Sequence, residues 1–154
     1  MPTLNYRNGN IFDAPAGSLL LHACNAHGAW GAGIALQFAH RFPVAQRAYA
    51  RDCAAHSADA LAGTTRLYPA PRHTIACLIT SRGYGKRRDA PDLILQFTRS
   101  ALAHLLQQLR QTTAIHSPRI NAGLFGVPWP STAELLTQAL DACPTAHTWT
   151  VWTL

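Results

Sequence analysis

Two stretches of the chain hold the residue types best suited to bind an anion and act on it. In the first, His22, Cys24, Asn25, Gly28, Trp30, Gly31 and Gly33 follow the apolar run Leu19-Leu20-Leu21 and lead into Ile34, Phe38 and Phe42. Apolar residues at that spacing predict a helix. A strand, a glycine-rich loop and a helix in this order aim backbone N–H groups and a positive helix end at a ligand. The second stretch, Asn121-Ala122-Gly123-Leu124-Phe125-Gly126-Val127-Pro128-Trp129, also lies between a strand pattern and a helix pattern. Either loop alone is compatible with a simple turn. Two of them, each between strand and helix, suit a diphosphate held from both sides, so the expected ligand is a phosphate-bearing small molecule.

Several side chains beside these loops have usable chemistry. His22 is expected to end a buried strand and reach the ligand crevice, where an imidazole can give or take a proton near neutral pH. The bland reading of such a histidine is a hydrogen-bonded structural residue. His27 lies in the same loop. Asn25 suits paired hydrogen bonds to sugar hydroxyls, against the alternative of an ordinary Asx turn. Ser81 and Arg82 follow the strand pattern at 73–80; Arg82 either meets a terminal phosphate or is solvated.

The carboxylates are few: Asp13, Asp52, Asp59, Asp89, Asp92, Glu134 and Asp141. None falls in 8–12, 22–33 or 121–129. A paired-carboxylate mechanism and a carboxylate-held magnesium ion are therefore unsupported, and neither metal nor cofactor is expected. A dinucleotide fingerprint fails because its third glycine would be Leu36, with no acidic ribose ligand downstream. A Walker loop fails because Gly85-Lys86 is followed by Arg87.

At 154 residues the chain is expected to form one domain, 1–154. No apolar run is long enough to span a bilayer. The N-terminal Met1-Pro2-Thr3-Leu4 lacks the basic-then-apolar pattern of a leader, which predicts a cytoplasmic protein, or a nuclear one as well in a eukaryote. Cys24, Cys53, Cys77 and Cys143 form no C-x-x-C pair, so reduced and mostly buried thiols are expected. The net charge of +6 fits an acidic partner, either a nucleotide-like ligand or a nucleic acid. Lys86-Arg87-Arg88 reads as a solvated loop, since no aromatic-rich nucleic-acid motif accompanies it.

The elements that must position these residues alternate. Strands are predicted at 4–7, 18–22, 66–68, 73–80, 114–120 and 148–153. Helices are predicted at 33–41, 44–55, 91–110 and from Ser131 to Ala142, with Ser131 and Glu134 as a capping box. This alternation predicts an α/β fold, a three-layer α/β/α sandwich around a mixed sheet. Ligands of such sheets bind outside the C-terminal strand ends. That rule gathers the loops at 8–12, 22–33 and 121–129, with 80–89 as a fourth.

Taken together, His22-x-Cys24-Asn25-x-x-Gly28-x-Trp30-Gly31-x-Gly33-Ile34-Ala35 with Arg41-x-Pro43, and Ile120-Asn121-x-Gly123-x-Phe125-Gly126-Val127-Pro128-Trp129 with Thr150-Val151-x-x-Leu154, resemble the macrodomain family. Within it they are most similar to the yeast-type branch of ADP-ribose 1″-phosphate phosphatases. Gly9-Asn10-Ile11 matches the family's first loop, and the resemblance covers nearly the whole chain. It implies a macrodomain sandwich that binds ADP-ribose. Asn10, where the family often has Asp, and Ile11 would meet the adenine; an Asn carbonyl still accepts from the adenine amino group. Asn25 would hold the distal ribose. Gly31, Ala32, Gly33, Ile34 and Ala35, and Asn121, Ala122, Gly123, Leu124, Phe125 and Gly126, would surround the diphosphate and distal ribose.

The departures from the family are informative. The terminal glycohydrolase branch uses a Lys and an Asp where this chain has Ser81 and Phe125. Another branch has an Asp where this chain has Ala35. The resemblance therefore implies a metal-independent phosphatase acting on ADP-ribose 1″-phosphate, a by-product of tRNA splicing, with His22, Asn25 and Ser81 as candidate catalytic residues. The alternatives are a non-catalytic ADP-ribose-binding module and a hydrolase removing ADP-ribose from modified macromolecules. Expected partners are ADP-ribose or its 1″-phosphate, with ADP-ribosylated protein or nucleic acid as a further class. No membrane is expected, and a monomer is.

Overall fold

A computed structural model describes residues 4–154. Residues 1–3, part of the segment read for a leader, lie outside the described residues. Six strands form one sheet in the order β1-β6-β5-β2-β4-β3: β1 (Asn5–Asn8), β2 (Leu19–Asn25), β3 (Thr65–Ala70), β4 (His73–Ser81), β5 (Ala114–Ser117) and β6 (Thr148–Thr153). All neighbours are parallel except β3, which pairs antiparallel with β4 at the sheet edge. The sheet is mixed, as the alternating pattern predicts.

Side chains alternate between the two faces along each strand. Leu20, Cys24, Ile75, Cys77 and Ile79 pack against α1 (Gly33–Arg41), α2 (Pro43–Ala55) and α3 (Ala58–Leu61), which contribute Phe38, Tyr49 and Leu61. Leu19, Leu21, Ala76, Leu78, Ile115, Trp149 and Val151 pack on the other face against α4 (Pro91–Gln108) and α5 (Trp129–Ala142). β2 and β4, apolar on both faces, lie inside the sheet, whereas all four residues of β1 are exposed at its edge.

Several boundaries differ from the sequence pattern for local reasons. β2 runs on to Asn25 because its polar end still pairs with β4, Cys24 opposite Ile79 and Asn25 opposite Ser81. β5 stops at Ser117, where Pro118 removes a ladder donor. α5 starts at Trp129 with Pro130 in its first turn, so Ser131 sits inside the helix and is not its cap. Glu134 Oε1 accepts instead from Gln138 Nε2 at 3.3 Å. The expected capping box is therefore absent.

Because β1, β2, β4, β5 and β6 are mutually parallel, their C-terminal ends share one edge. From that edge emerge the segments 9–18, 26–32, 82–90 and 118–128. The four free cysteines are the buried Cys24 and Cys77 and the half-buried Cys53 and Cys143. Among the described residues no helix is long and apolar enough to cross a membrane.

Candidate functional site

The first glycine loop is held mostly by itself. Asn25, at the end of β2, accepts at Oδ1 from the His27 N–H at 2.8 Å and the Ala29 N–H at 3.4 Å, and its Nδ2 donates to the Ala29 carbonyl at 2.8 Å. Two long-range ties complete it: the Tyr49 hydroxyl donates to the Asn25 carbonyl at 2.6 Å and reaches Oδ1 at 3.1 Å, and the Ala26 N–H donates to the Arg82 carbonyl at 3.2 Å. Burial raises the Tyr49 pKa, so the phenol stays a donor. Gly28, at φ +77°, lies so close to α2 that a Cβ there would stand 3.1 Å from Ala50 Cα. The loop ends at Gly31, Ala32 and Gly33, all exposed, where α1 begins with no side chain capping its first N–H groups. Those donors face outward at the positive end of the helix.

The second glycine loop is held from across the fold. Asn121 is buried and has φ +66°, a left-handed conformation that is unfavourable for a residue with a side chain. Its Oδ1 accepts from Thr80 Oγ1 at 2.8 Å, and its Nδ2 donates to Thr98 Oγ1 at 2.9 Å and reaches Thr132 Oγ1 at 3.5 Å. These partners lie on β4, α4 and α5. The Asn121 carbonyl accepts from the Val127 N–H at 2.8 Å, closing the loop. Between these ends Gly123, Leu124 and Gly126 are exposed, and Ala122 and Phe125 are half-buried.

The two loops face one another. A Cβ on Gly33 would meet Leu124 Cδ1 at 3.5 Å, and Leu124 is 68% exposed. Asn10 stands at the start of a short 3-10 turn and its Oδ1 accepts from the Phe12 N–H at 2.9 Å. Its amide hydrogens have no partner among the described residues. The Ile11 side chain is buried, so only its backbone is available to a ligand.

The fourth loop, 82–90, is folded tightly on itself. Arg82 pairs with Asp89 at 2.8 Å and with Asp59 at 3.1 Å, and Asp89 Oδ2 also accepts from the Arg82 backbone N–H at 2.7 Å. Burial pushes the Asp89 carboxyl up, but the hydrogen bonds from Arg82 outweigh it and hold it below the usual range. Arg82 is thus committed to carboxylates and is neither a phosphate ligand nor simply solvated.

Three expectations require correction. His22 does not reach the crevice. It lies inside β2, is fully buried, and stacks on Phe38 at 4.1 Å with Trp30 edge-on at 4.6 Å. Because the strand continues past it, its ring points with Leu20 and Cys24 into the α1/α2 face. Ser81 is also fully buried: its hydroxyl donates to the Gly83 carbonyl at 2.7 Å and accepts from the Asp89 N–H at 3.0 Å. It braces the fourth loop and does not face a ligand. The Asn121 side chain points inward, leaving its surroundings' backbone to a ligand. Asn25 remains at the strand end, with one amide hydrogen uncommitted among the described residues.

His22, Cys24 and Cys77 form the one cluster of three candidate metal ligands among the described residues, with donor atoms within 4.8 Å of one another. A structural zinc ion takes four ligands, and this group offers three against a wall of Phe38 and Trp30. Burial raises a thiol, but at Cys24 the neighbouring Cys77, His22 and Trp30 outweigh it and lower its pKa, whereas Cys77 is pushed up. A cavity of about 520 Å³ lies elsewhere, between α4 and α5. It is lined by Leu102, Leu106, Leu135 and Ala139 and reaches Thr145, near the start of β6 at the opposite sheet edge. It gathers few polar groups and neither glycine loop.

Tyr49, Thr80, Thr98 and Thr132 were not singled out by the sequence pattern. The spacing of Ala45 and Tyr49 marks the inward face of α2, but nothing local names Asn25 as the partner of the hydroxyl.

The profile of the Macro domain matches residues 21–136. The chain is 40% identical over 148 residues to an ADP-ribose 1″-phosphate phosphatase of Chaetomium globosum, covering 84% of this chain and 80% of that protein. It is 34% identical over 163 residues to one of Meyerozyma guilliermondii, covering 88% and 93%. Among solved structures, the macrodomain of Mycobacterium tuberculosis DarG superposes with a TM-score of 0.81 at 20% identity, covering 100% of this chain and 99% of that one. The sandwich, the two facing loops and these likenesses agree: the chain belongs to the macrodomain family.

Proposed function

We propose that this protein binds ADP-ribose and hydrolyses the terminal phosphate of ADP-ribose 1″-phosphate. The observation that carries the reading is the pair of glycine loops facing each other at one sheet edge, Leu124 over Gly33, beside an uncapped helix start. Support comes also from relatives named for this activity at 34–40% identity over most of the chain. In this reading the N–H groups of Gly33, Ile34 and Ala35 and those of Gly123, Leu124 and Phe125 take the diphosphate, the Ala122 and Gly126 N–H groups being held by the Arg119 and Gly123 carbonyls. Asn25 holds the distal ribose, and Asn10 with the Ile11 backbone receives the adenine.

With His22 and Ser81 turned away from the crevice, positioning carries the chemistry. The loop amides and Asn25 orient the ester and the attacking water and stabilise charge building on phosphorus. No carboxylate lies in the two glycine loops, so turnover is expected to persist after exhaustive chelation. Ser81 and Phe125 replace the Lys and Asp of the deacylating branch, so glutamate-linked ADP-ribose is expected to be cleaved poorly.

The test is phosphate release from ADP-ribose 1″-phosphate beside an ADP-ribosylated peptide, each with and without chelator. Release from the first substrate alone, unaffected by chelation, supports the reading. Efficient release of ADP-ribose from the peptide with no phosphatase activity overturns it. Binding of ADP-ribose with neither reaction would favour a binding module.

A further inference from the structure

The basic run Lys86-Arg87-Arg88 reads in the sequence as a solvated loop, but the fold carries it to the crevice. It follows β4, the neighbour of β2, and leaves the sheet at the same edge as both glycine loops. A Cβ on Gly126 would stand 4.0 Å from Arg88 Nε, the nearest atom to that position outside its own chain neighbours. One basic side chain of the run thus lies against the second glycine loop. Lys86 and Arg87 belong to the short 3-10 turn Gly85–Arg87 that precedes Arg88.

The loop that presents Arg88 is preformed. Arg82 grips Asp89, the residue after Arg88, through side chain and backbone, and Asp59 from α3 holds Arg82 in turn. Ser81 ties Gly83 to Asp89. Gly83 is so close to the Arg87 carbonyl oxygen that any Cβ there would clash with it. Arg88 Nη1 donates to the Gly85 carbonyl at 2.8 Å, which fixes the guanidinium and leaves its other N–H groups uncommitted among the described residues.

The charges are sorted in the same direction. Two carboxylates near the loop, Asp59 and Asp89, are engaged by Arg82, while Asp92, in the first turn of α4, is exposed and pairs with no cation among the described residues. Among the described residues no acidic group pairs with Lys86, Arg87 or Arg88. A guanidinium offers several N–H donors in one plane, which matches the oxygens of a phosphate monoester. It is an exposed cation beside a loop that otherwise offers only neutral backbone donors.

We propose that Arg88 forms a separate subsite for a terminal phosphate monoester, so that it discriminates a phosphorylated ligand from the bare diphosphate one. This rests on the reading of the glycine loops as the diphosphate site. The ligand class is a small molecule carrying a second, dianionic phosphate beyond the diphosphate. Arg88 acts on binding and orientation of that group and takes no part in bond making.

The experiment measures KM and kcat for ADP-ribose 1″-phosphate, and the Kd of ADP-ribose, for the wild type, Arg88→Ala, Arg88→Lys and Arg87→Ala. Arg88→Ala is expected to raise KM at least tenfold while the Kd for ADP-ribose moves less than twofold. Arg88→Lys should recover part of the loss, and Arg87→Ala should resemble the wild type. Should the wild type bind the phosphorylated ligand without turning it over, the functional reading fails, and the subsite is then read from the equilibrium Kd ratio of the two ligands. Collapse of that ratio in Arg88→Ala supports the subsite; an unchanged ratio overturns it. Unchanged KM and kcat in an active enzyme overturn it too. Equal weakening of ADP-ribose would place Arg88 on the diphosphate. Losses of equal size in Arg87→Ala, accompanied by loss of single-stranded RNA binding, would make the run a polyanion surface. Either result overturns the proposal.

Discussion

The two glycine loops follow one recipe, strand then loop then helix, yet they are held in opposite ways. Asn25 shapes the first loop through bonds to His27 and Ala29, its sequence neighbours, with Tyr49 and a backbone bond from Ala26 to Arg82 as its distant ties. Asn121 shapes the second through threonines on β4, α4 and α5. The first loop is a local structure docked on α2. The second depends on the helices and sheet already being in place. A self-held loop tolerates loss of a distant tie, whereas a loop held from across the fold couples binding to global stability.

The sharpest break is at the meeting point of the loops. Gly33→Glu places a charged side chain at a φ of +60°, against Leu124 and in front of the uncapped helix start. ADP-ribose affinity measured by calorimetry is expected to fall at least a hundredfold, about 2.7 kcal/mol. Gly17→Ala, also at positive φ but with open space around it, is the control for strain alone. It should lose some stability and keep its affinity. Unchanged affinity in a folded Gly33→Glu protein would place the ligand elsewhere.

Next in size is the contrast between the two asparagines. Asn121→Ala removes buried hydrogen bonds to threonines on separate elements and should lower unfolding stability by about 2–4 kcal/mol in denaturant titration. Tyr49→Phe removes the side-chain tie between the first loop and α2 and should cost about 1 kcal/mol. Equal losses would erase the distinction between a locally held and a globally held loop.

A smaller effect separates the fourth loop by pH. Asp89 is held below its ordinary pKa by Arg82, so its contribution is present above the unfolded carboxylate value, about 3.9. It is lost as pH falls through the lower folded value. Arg82 is 42% exposed, so solvent screening keeps the contribution of the pair small. The stability difference between wild type and Asp89→Asn is therefore expected to be constant near neutrality and to shrink in acid below about pH 4. A difference that grows in acid would contradict the assignment.

The smallest expected effect concerns His22. In a core position against Phe38 and Trp30, His22→Asn should lower stability, while kcat of the folded fraction stays within about threefold of wild type, well short of the ~100-fold contribution of a general acid or base. A hundredfold loss of kcat in folded protein would restore a catalytic histidine.

The sequence was most legible where periodicity decided the structure. Ile34, Phe38 and Phe42 mark α1, and the glycine loops fall at the strand ends where the parallel sheet puts them. It was least legible where a polar residue had to be assigned to inside or outside. His22 and Ser81 look available in the chain because their polarity suggests a loop, but β2 and β4 extend through them as a paired ladder. Three further residues of strand, Ala23 to Asn25, place His22 inside β2 as a core side chain. The charged run is an exposed loop, as the sequence suggests, but no local pattern reports that the fold sets Arg88 beside Gly126. The braces of Asn121 join positions 23 and 41 residues apart, a separation over which no local pattern reports.

The central claim is that the two glycine loops act as one site. An amide-resolved NMR titration with ADP-ribose tests it most directly. The N–H signals of residues 31–35 and 122–126 are expected to shift together, with one ligand bound per chain. Shifts confined to one loop, or centred on Leu102, Leu106 and Ala139 around the cavity between α4 and α5, would contradict it.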